Sequence, residues 1–135
     1  MKNTKLFATL ALGAFLGLSP SRVPAQNIES MAPVVVKTVP QAGATDVEPG
    51  EMEVKITFSK EMMDNSWSWS SAWRDSEPEY LGKPKYQADH RTCVVKVKLE
   101  SGKTYGWWIN SQKFTGFKDK QGHSAIPYFF AFKVR

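Results

Sequence analysis

The chain has 135 residues, a formal net charge of +5 and one cysteine, Cys93, which excludes an intramolecular disulfide and leaves packing to stabilise the fold. Three basic residues lie within the first 22 positions, and the remaining 15 Lys and Arg against 13 Asp and Glu leave a charge of +2. Because these charges are interspersed and form no basic stripe, we expect no nucleic-acid binding.

The N-terminus has the three-part layout of a secretory signal peptide. Two lysines precede an apolar run at 6–18, and Val23 and Ala25 occupy the −3 and −1 positions of a cleavage site. We therefore predict a signal peptide at 1–25 and an exported protein, located in the periplasm, at the cell surface or outside the cell. The apolar run is shorter than the roughly 20 residues of a membrane-spanning helix, and we expect no membrane span in the mature chain.

After a short segment at 26–32, which we expect to be a flexible lead-in, apolar and polar side chains alternate along the chain. The alternation is clearest at 51–58 and 92–99, and it is typical of antiparallel strands with one buried and one wet face. Runs of β-branched and aromatic residues bounded by turn residues predict further strands. The predicted strands are 33–39, 51–58, 66–70, 92–99, 103–110 and 127–135.

The segments between these strands contain Gly, Pro and Asp, the residues that form tight turns. Only 111–118 could form a helical turn, and no long segment has the period of a helix. Short strands joined by polar turns indicate an all-β fold, an immunoglobulin-like antiparallel β-sandwich of about seven strands. The missing cysteine pair excludes the disulfide-linked antibody type of this fold.

Residues 33–63 resemble the opening of the bacterial Ig-like domain named for the S-layer protein SbsA. The shared features are Val-Pro at 39–40, Gly-Ala-Thr-Asp-Val at 43–47, the strand and serine at 54–59, and Met62 or Met63. Two later turns, at 99–105 and 119–122, also agree, so the resemblance covers 33–135. It implies a non-catalytic module of a secreted or surface protein, of a kind often repeated and joined to other domains, with no catalytic residues to transfer. The chain departs from the family pattern in its high tryptophan content.

Neither a catalytic site nor a metal site is indicated by the sequence. Cys93 follows His90 by three residues, but it falls on the apolar face of a predicted strand, where a thiol behaves as a small hydrophobe. His90 and His123 lack the spacing of a zinc site, and neither Asp46 nor Asp119 lies in the dense acidic loop that calcium prefers. We therefore predict no enzyme activity, no catalytic residue, no metal and no cofactor.

The aromatic residues give the one indication of a contact site. The candidate contact residues are Trp73, Trp108, Tyr80 and Tyr86. Trp73 lies in a polar loop, where we expect it to be exposed. Trp108 points away from the core side of its strand, because successive side chains alternate between the two faces. We expect the loop 111–126, through Phe114 and Phe117, to cover Trp108.

The stretch 66–70 reads Ser-Trp-Ser-Trp-Ser, so Trp67 and Trp69 share one face of a predicted strand and the serines share the other. Each buried tryptophan removes about 150–250 Å² from water, which a small domain without disulfides needs. We therefore expect both side chains to belong to the core.

Two functions remain open at this stage. The first is an exported, non-catalytic binding or structural module that contacts an unknown envelope protein. The second is a carbohydrate-binding module that uses exposed aromatic residues to bind a polysaccharide. A coplanar exposed strip formed by Trp73 and Trp108 would favour the second function, because sugar rings stack on flat aromatic platforms.

Overall fold

The computed structural model describes residue 9 and residues 11–135, and the rest of the predicted signal peptide, residues 1–8 and 10, lies outside the described residues. Within the described part, no helix has the length and apolar character that a membrane crossing requires. A 3-10 helix at Ile28–Ser30 precedes eight β-strands in this part of the chain. The strands are β1 Val35–Val39, β2 Gly50–Phe58, β3 Trp69–Ser71, β4 Glu79–Tyr80, β5 Lys85–Tyr86, β6 Thr92–Leu99, β7 Thr104–Ile109 and β8 Tyr128–Lys133.

The strands form two antiparallel sheets that pack face to face, which confirms the predicted β-sandwich. One sheet has the order β1-β2-β6-β4, with β5 also paired to β6, and the other has the order β3-β7-β8. The longest ladder joins β2 to β6 from Gly50 opposite Leu99 to Thr57 opposite Thr92. These are the two strands in which the sequence alternation is clearest.

The core lies between the sheets and contains the inward side chains of both. Trp107 is fully buried and stacks on Phe130 with ring centroids 5.6 Å apart and an interplanar angle of 16°. Trp69 meets Trp107 edge to face, at 5.7 Å and 79°, and packs with Trp67 against the core, as the serine–tryptophan alternation predicted. At about 25 cal/mol per Å² of buried apolar surface, each such ring contributes several kcal/mol before the entropy cost.

The segment that follows β7 closes one end of the sandwich and contains no helix, so the helical turn considered at 111–118 is wrong. Hydrogen bonds from the side chain of buried Asn110 fix the position of this segment. Its Nδ2 donates to the carbonyl oxygens of Phe117 and Ala125, at 2.9 and 3.1 Å, and its Oδ1 accepts from the Phe117 N–H at 2.9 Å. These bonds pull Phe117 into the core, where its ring centroid lies 5.0 Å from that of Phe58.

The segment that precedes β1 contacts the domain through a buried charge. The ammonium group of Lys60 donates to the carbonyl oxygens of Glu29 and Met31, at 2.9 and 2.8 Å, and forms an ion pair with Asp119. Asp119 is fully buried, and it also accepts from the ring Nδ1 of His123 at 2.8 Å. This buried pair joins the residues around the 3-10 helix, the end of β2 and the turn before β8.

Candidate functional site

The four candidate contact residues lie at three different places. Trp73 and Trp108 share the outer face of the three-stranded sheet, where Phe129 lies between them. Tyr80 lies in a groove at the side of the sandwich, and Tyr86 is half-buried behind it. The structure therefore brings two of the four residues together and separates the other two from them.

An aromatic strip, formed by Trp73, Phe129 and Trp108, crosses the outer face of this sheet. Ring centroids lie 6.5 Å apart between Trp73 and Phe129 and 5.4 Å apart between Trp108 and Phe129. The three side chains are 41%, 49% and 38% exposed in the order Trp73, Phe129, Trp108. Because the pairing register sets Trp108 opposite Phe129, the two rings are neighbours on the face that points away from the core.

The position of Trp73 in the strip depends on a glycine beneath it. A β-carbon at Gly106 would lie only 2.5 Å from the Trp73 ring, so the indole rests directly on the backbone of β7. Buried Ser76 holds the loop in place, because its Oγ accepts from the Ala72 N–H at 2.9 Å and donates to the Gly106 carbonyl at 2.8 Å. Glycine within a strand marks this kind of close approach.

The expected cover over Trp108 is wrong. Phe117 is fully buried on the core side, and Phe114 is 51% exposed at the rim of the side groove. The physical reason is the set of Asn110 hydrogen bonds, which hold Phe117 on the core side. Residues 111–113 lie beside Trp108, where they line a shallow pocket but do not cover the ring. Trp108 is therefore exposed.

The strip is apolar, and its rings do not form one plane. Trp73 is tilted by 54° and Trp108 by 51° relative to Phe129. The sheet positions Gly106 and Ala131, which face each other across β7 and β8, bring no polar side-chain group to the strip. Polar side chains adjoin the strip at Trp108, where Ser70 is its partner across β3 and Ser111, Gln112 and Lys113 line a shallow pocket beside it. The strip can therefore bury apolar surface, but it does not offer a flat platform on which one sugar chain could stack across all three rings.

The side groove, called the edge groove below, has a volume of about 690 Å³ and lies between β3 and the connection from β4 to β5. The Tyr80 hydroxyl donates to Glu77 Oε1 at 2.6 Å and accepts from the Trp107 indole N–H at 2.8 Å. Ser71 Oγ donates to the other oxygen of Glu77 at 2.6 Å. Burial, followed by the Glu77 carboxylate, raises the pKa of Tyr80, so the phenol stays protonated at neutral pH.

Tyr86 serves the fold, not an open surface. Its hydroxyl donates to the Ser66 carbonyl at 3.1 Å, and its ring packs against the core. Burial raises the pKa of this phenol as well. The hydrogen bond ties β5 of one sheet to the segment that leads into β3 of the other.

The polar residues considered for chemistry lie apart. Cys93 is fully buried, and burial raises the pKa of its thiol to about 12, so the thiolate is absent at neutral pH. His90 is exposed in a turn with φ of 55°, and Asp89 accepts from the backbone N–H groups of Arg91 and Thr92 in the same turn. Within residues 9 and 11–135, no group of three or more His, Cys, Asp and Glu side chains is arranged to hold a metal ion.

The sequence contains signals for two parts of this site. Phe129 and Phe130 are adjacent on one strand, so one of them had to face outward, and the outward residue completes the strip. Gly106 within a strand signals a close approach from outside. The edge groove carries no such signal, because its walls come from segments that meet only in the folded chain.

A family model described as a bacterial Ig-like domain matches residues 29–134. A search of curated proteins found no match to the chain. The match extends over most of the chain and includes all eight strands and the aromatic strip. The chain belongs to the bacterial Ig-like domain family.

Proposed function

We propose that this domain is an exported, non-catalytic binding module that docks onto another protein of the cell envelope through the aromatic strip. Bacterial Ig-like domains are typically non-catalytic structural or binding modules and are commonly extracellular or surface-associated. The resemblance of 33–63 to the SbsA type and the signal-peptide layout of 1–25 support export and an envelope location. The observation that carries the proposal is the exposed strip of Trp73, Phe129 and Trp108.

The chemistry of the strip favours an apolar protein surface as the partner. Three contiguous exposed rings on a small soluble domain are unusual, because an exposed apolar cluster weakens solubility unless something covers it. Tryptophan is also enriched among the residues that supply most of the binding energy in protein interfaces. Arg74 follows Trp73 directly and is exposed, so it can provide a polar contact at the rim of such an interface.

The carbohydrate alternative depends on ring stacking, and the geometry gives it less support. The tilts of 54° and 51° within the strip prevent one flat sugar chain from stacking on all three rings. Gly106 and Ala131 beside the rings bring no side-chain donor or acceptor for sugar hydroxyls, and the polar side chains of Ser70 and residues 111–113 lie only at the Trp108 end of the strip. A protein partner can match tilted rings with its own side chains.

Site-specific photocrosslinking tests the proposal. A benzoylphenylalanine at Ala131, beside the strip, is compared with one at Lys98, on the outer face of the other sheet, using an envelope fraction of the native host. We expect a discrete protein adduct from position 131 that disappears in a Trp108→Ser background and is absent from position 98. Identical adducts from both positions, or an adduct that persists with Trp108→Ser, would contradict docking through the strip.

The predicted export has its own test. Mass spectrometry of the protein expressed in its native host should find a mature N-terminus at Gln26 outside the cytoplasm. A chain that retains 1–25 and stays in the cytoplasm would contradict export and would leave the domain without access to an envelope partner.

A further inference from the structure

The three-stranded sheet has an open edge at β3. β3 pairs with β7 alone. The Asn110 N–H donates to the Ser68 carbonyl at 3.2 Å, and bonded positions alternate along an antiparallel ladder. Ser70 therefore bonds to β7, whereas the N–H and C=O groups of Trp69 and Ser71 point away from the sheet. No turn or loop hydrogen bond among the described residues reaches these four backbone groups.

The opening is limited to these residues, because the chain covers both sides of it. On one side, the next residue in phase is Trp73, whose N–H donates to Ser76 Oγ at 3.3 Å and whose carbonyl accepts from the Ser76 N–H at 3.2 Å. On the other, Gly116 lies against the Trp67 carbonyl so closely that a β-carbon there would overlap it. The free edge thus matches a short extended segment and not a long strand.

The opposite edge of the same sheet, along β8, is covered by another segment of the chain. Along β8, the Gly43 N–H donates to the Ala131 carbonyl at 2.8 Å, and the Lys133 N–H donates to the Ala44 carbonyl at 2.8 Å. The Val47 N–H then donates to the Lys133 carbonyl at 3.1 Å. The fold therefore covers one edge with its own chain. The β3 edge lacks that cover and also lacks the charge or proline with which strands commonly protect an edge.

The edge groove lies alongside these free backbone groups. This open groove, with a volume of about 690 Å³, is lined by β3, by residues 82–84 on the opposite wall and by the Phe114 ring. Trp67 and Tyr80 give it aromatic surface for the side chains of an occupant. A strand placed here would pair with β3 through its backbone and bury alternate side chains in the groove.

The charge around the groove favours an acidic occupant. Lys83 lines the groove and forms no ion pair with a carboxylate among the described residues. Glu77 is the one carboxylate in the lining, and both its oxygens already accept hydrogen bonds, from Tyr80 and Ser71. An incoming carboxylate can therefore pair with the free ammonium group of Lys83, whereas an incoming lysine finds both oxygens of Glu77 already engaged.

We propose that the β3 edge binds an extended acidic segment of another polypeptide, which adds to the sheet as a fourth strand. The contacts are main-chain hydrogen bonds to Trp69 and Ser71 and an ion pair with Lys83. This site differs from the aromatic strip, which lies on the outer face of the sheet and contains none of these groups.

Amide hydrogen exchange measured by NMR tests the proposal with a defined probe. The probe is an acetylated, amidated peptide of sequence Asp-Val-Thr-Val-Asp-Thr. Its controls are the same peptide with Pro at alternate positions and the same peptide with Lys for Asp. In the free protein, the Trp69 and Ser71 amides should exchange rapidly while the Ser70 amide is protected. The acidic peptide should slow exchange at Trp69 and Ser71 by at least about tenfold, and both controls should leave it unchanged.

Two sets of variants assign the contacts. Ser71→Pro removes one of the N–H donors of the free edge and should abolish the protection of the Trp69 amide by the peptide. Proline is tolerated at the free side of an edge strand. Ser71→Ala removes only the side-chain hydroxyl and should leave the protection of the Trp69 amide unchanged. Lys83→Glu should weaken binding of the acidic peptide at least about tenfold and should allow the lysine peptide to bind. Lys83→Glu is an exposed change that leaves the fold intact, so it gives a result even where Ser71→Pro does not fold.

Three outcomes would overturn the proposal. One is the absence of any exchange effect at millimolar peptide. Another is peptide binding that protects amides elsewhere and leaves Trp69 and Ser71 exchanging rapidly. A third is protection that rises with protein concentration in the absence of peptide, which would assign the edge to a second copy of this chain.

Discussion

The indole of Trp73 rests on Gly106, at a distance that leaves no room for a β-carbon on the strand beneath it. The contact orders an exposed side chain before any partner arrives, because the ring is held between the sheet and the Phe129 ring. A side chain that is already ordered loses less conformational entropy on binding. Trp73 is in this sense a preorganised part of the strip.

Gly106→Ala should displace Trp73 from the sheet. The new methyl group would lie 2.5 Å from the indole, and the ring is at the surface, so it can swing outward while the fold remains. We expect iodide to quench the tryptophan fluorescence of Gly106→Ala more than that of the wild type. In a Trp73→Phe background, Gly106→Ala should no longer change the quenching. Gly82→Ala is the matched control, because a β-carbon there meets nothing within 4 Å. Equal quenching in both glycine variants would refute the contact.

Tyr80→Phe should destabilise the domain by about 1 kcal/mol. It removes the hydroxyl that accepts from the buried Trp107 indole, at 2.8 Å, and leaves that N–H without a partner. Tyr128→Phe is the control, since it removes a hydroxyl that has no hydrogen bond among the described residues and should stay within about 0.5 kcal/mol of wild type. Urea unfolding measures both. A Tyr80→Phe variant as stable as Tyr128→Phe would argue against this hydrogen bond.

Asn110→Ala should be among the most destabilising single changes, at about 3 kcal/mol, because the Phe117 N–H and the Ala125 carbonyl lose their partner and the Phe117 carbonyl loses one of its two donors. Asn65→Ala is a matched control. Both asparagines have left-handed backbones, with φ of 56° at Asn110 and 55° at Asn65, but Asn65 is exposed and its side chain makes none of these bonds. Asn65→Ala should cost only the backbone preference, about 1 kcal/mol. Similar losses in the two variants would show that the buried amide adds nothing.

How much of this could be read from the sequence depends on the range of the interactions. The alternation in β2 and β6 follows from the two-residue period of a strand, a local rule. Trp67 and Trp69 both pack against the core as expected, although β3 begins only at Trp69. The cover expected over Trp108 from Phe114 and Phe117 is wrong, because the position of Phe117 is decided by hydrogen bonds from Asn110 to residues distant in sequence. The edge groove depends in the same way on segments that are far apart in sequence.

Stability should fall as the pH drops from about 4 to about 2, in part through Asp119. Burial alone would raise the pKa of this carboxyl, but hydrogen bonds from Lys60 and His123 outweigh it and hold the pKa at about 2. Since the pKa is lower in the folded state than in the unfolded chain, this group stabilises the fold above pH ~4, and the contribution is lost as the folded carboxyl is protonated. The measurement is the urea midpoint as a function of pH.

Asp119→Asn should remove that part of the pH dependence and lower stability at neutral pH by about 3 kcal/mol, because it leaves the Lys60 charge buried without its counter-ion. Glu61→Gln is the control, since it breaks an ion pair with Lys120 that is about half exposed and screened by solvent, and it should change stability far less. An Asp119→Asn variant with the wild-type acid profile would show that Asp119 does not contribute to it.

Docking of a protein on the aromatic strip is tested most directly by the protection of its two tryptophans from solvent. The measurement is iodide quenching of Trp73 and Trp108, taken as the difference between wild type and a Trp73→Phe, Trp108→Phe double variant, with and without an envelope fraction of the native host. We predict that the intact fraction reduces quenching of these two residues and that protease treatment of the fraction abolishes the effect. Unchanged quenching with the intact fraction would contradict docking on the strip. Protection that survives protease and is lost after glycosidase treatment would contradict a protein partner and assign the strip to a polysaccharide.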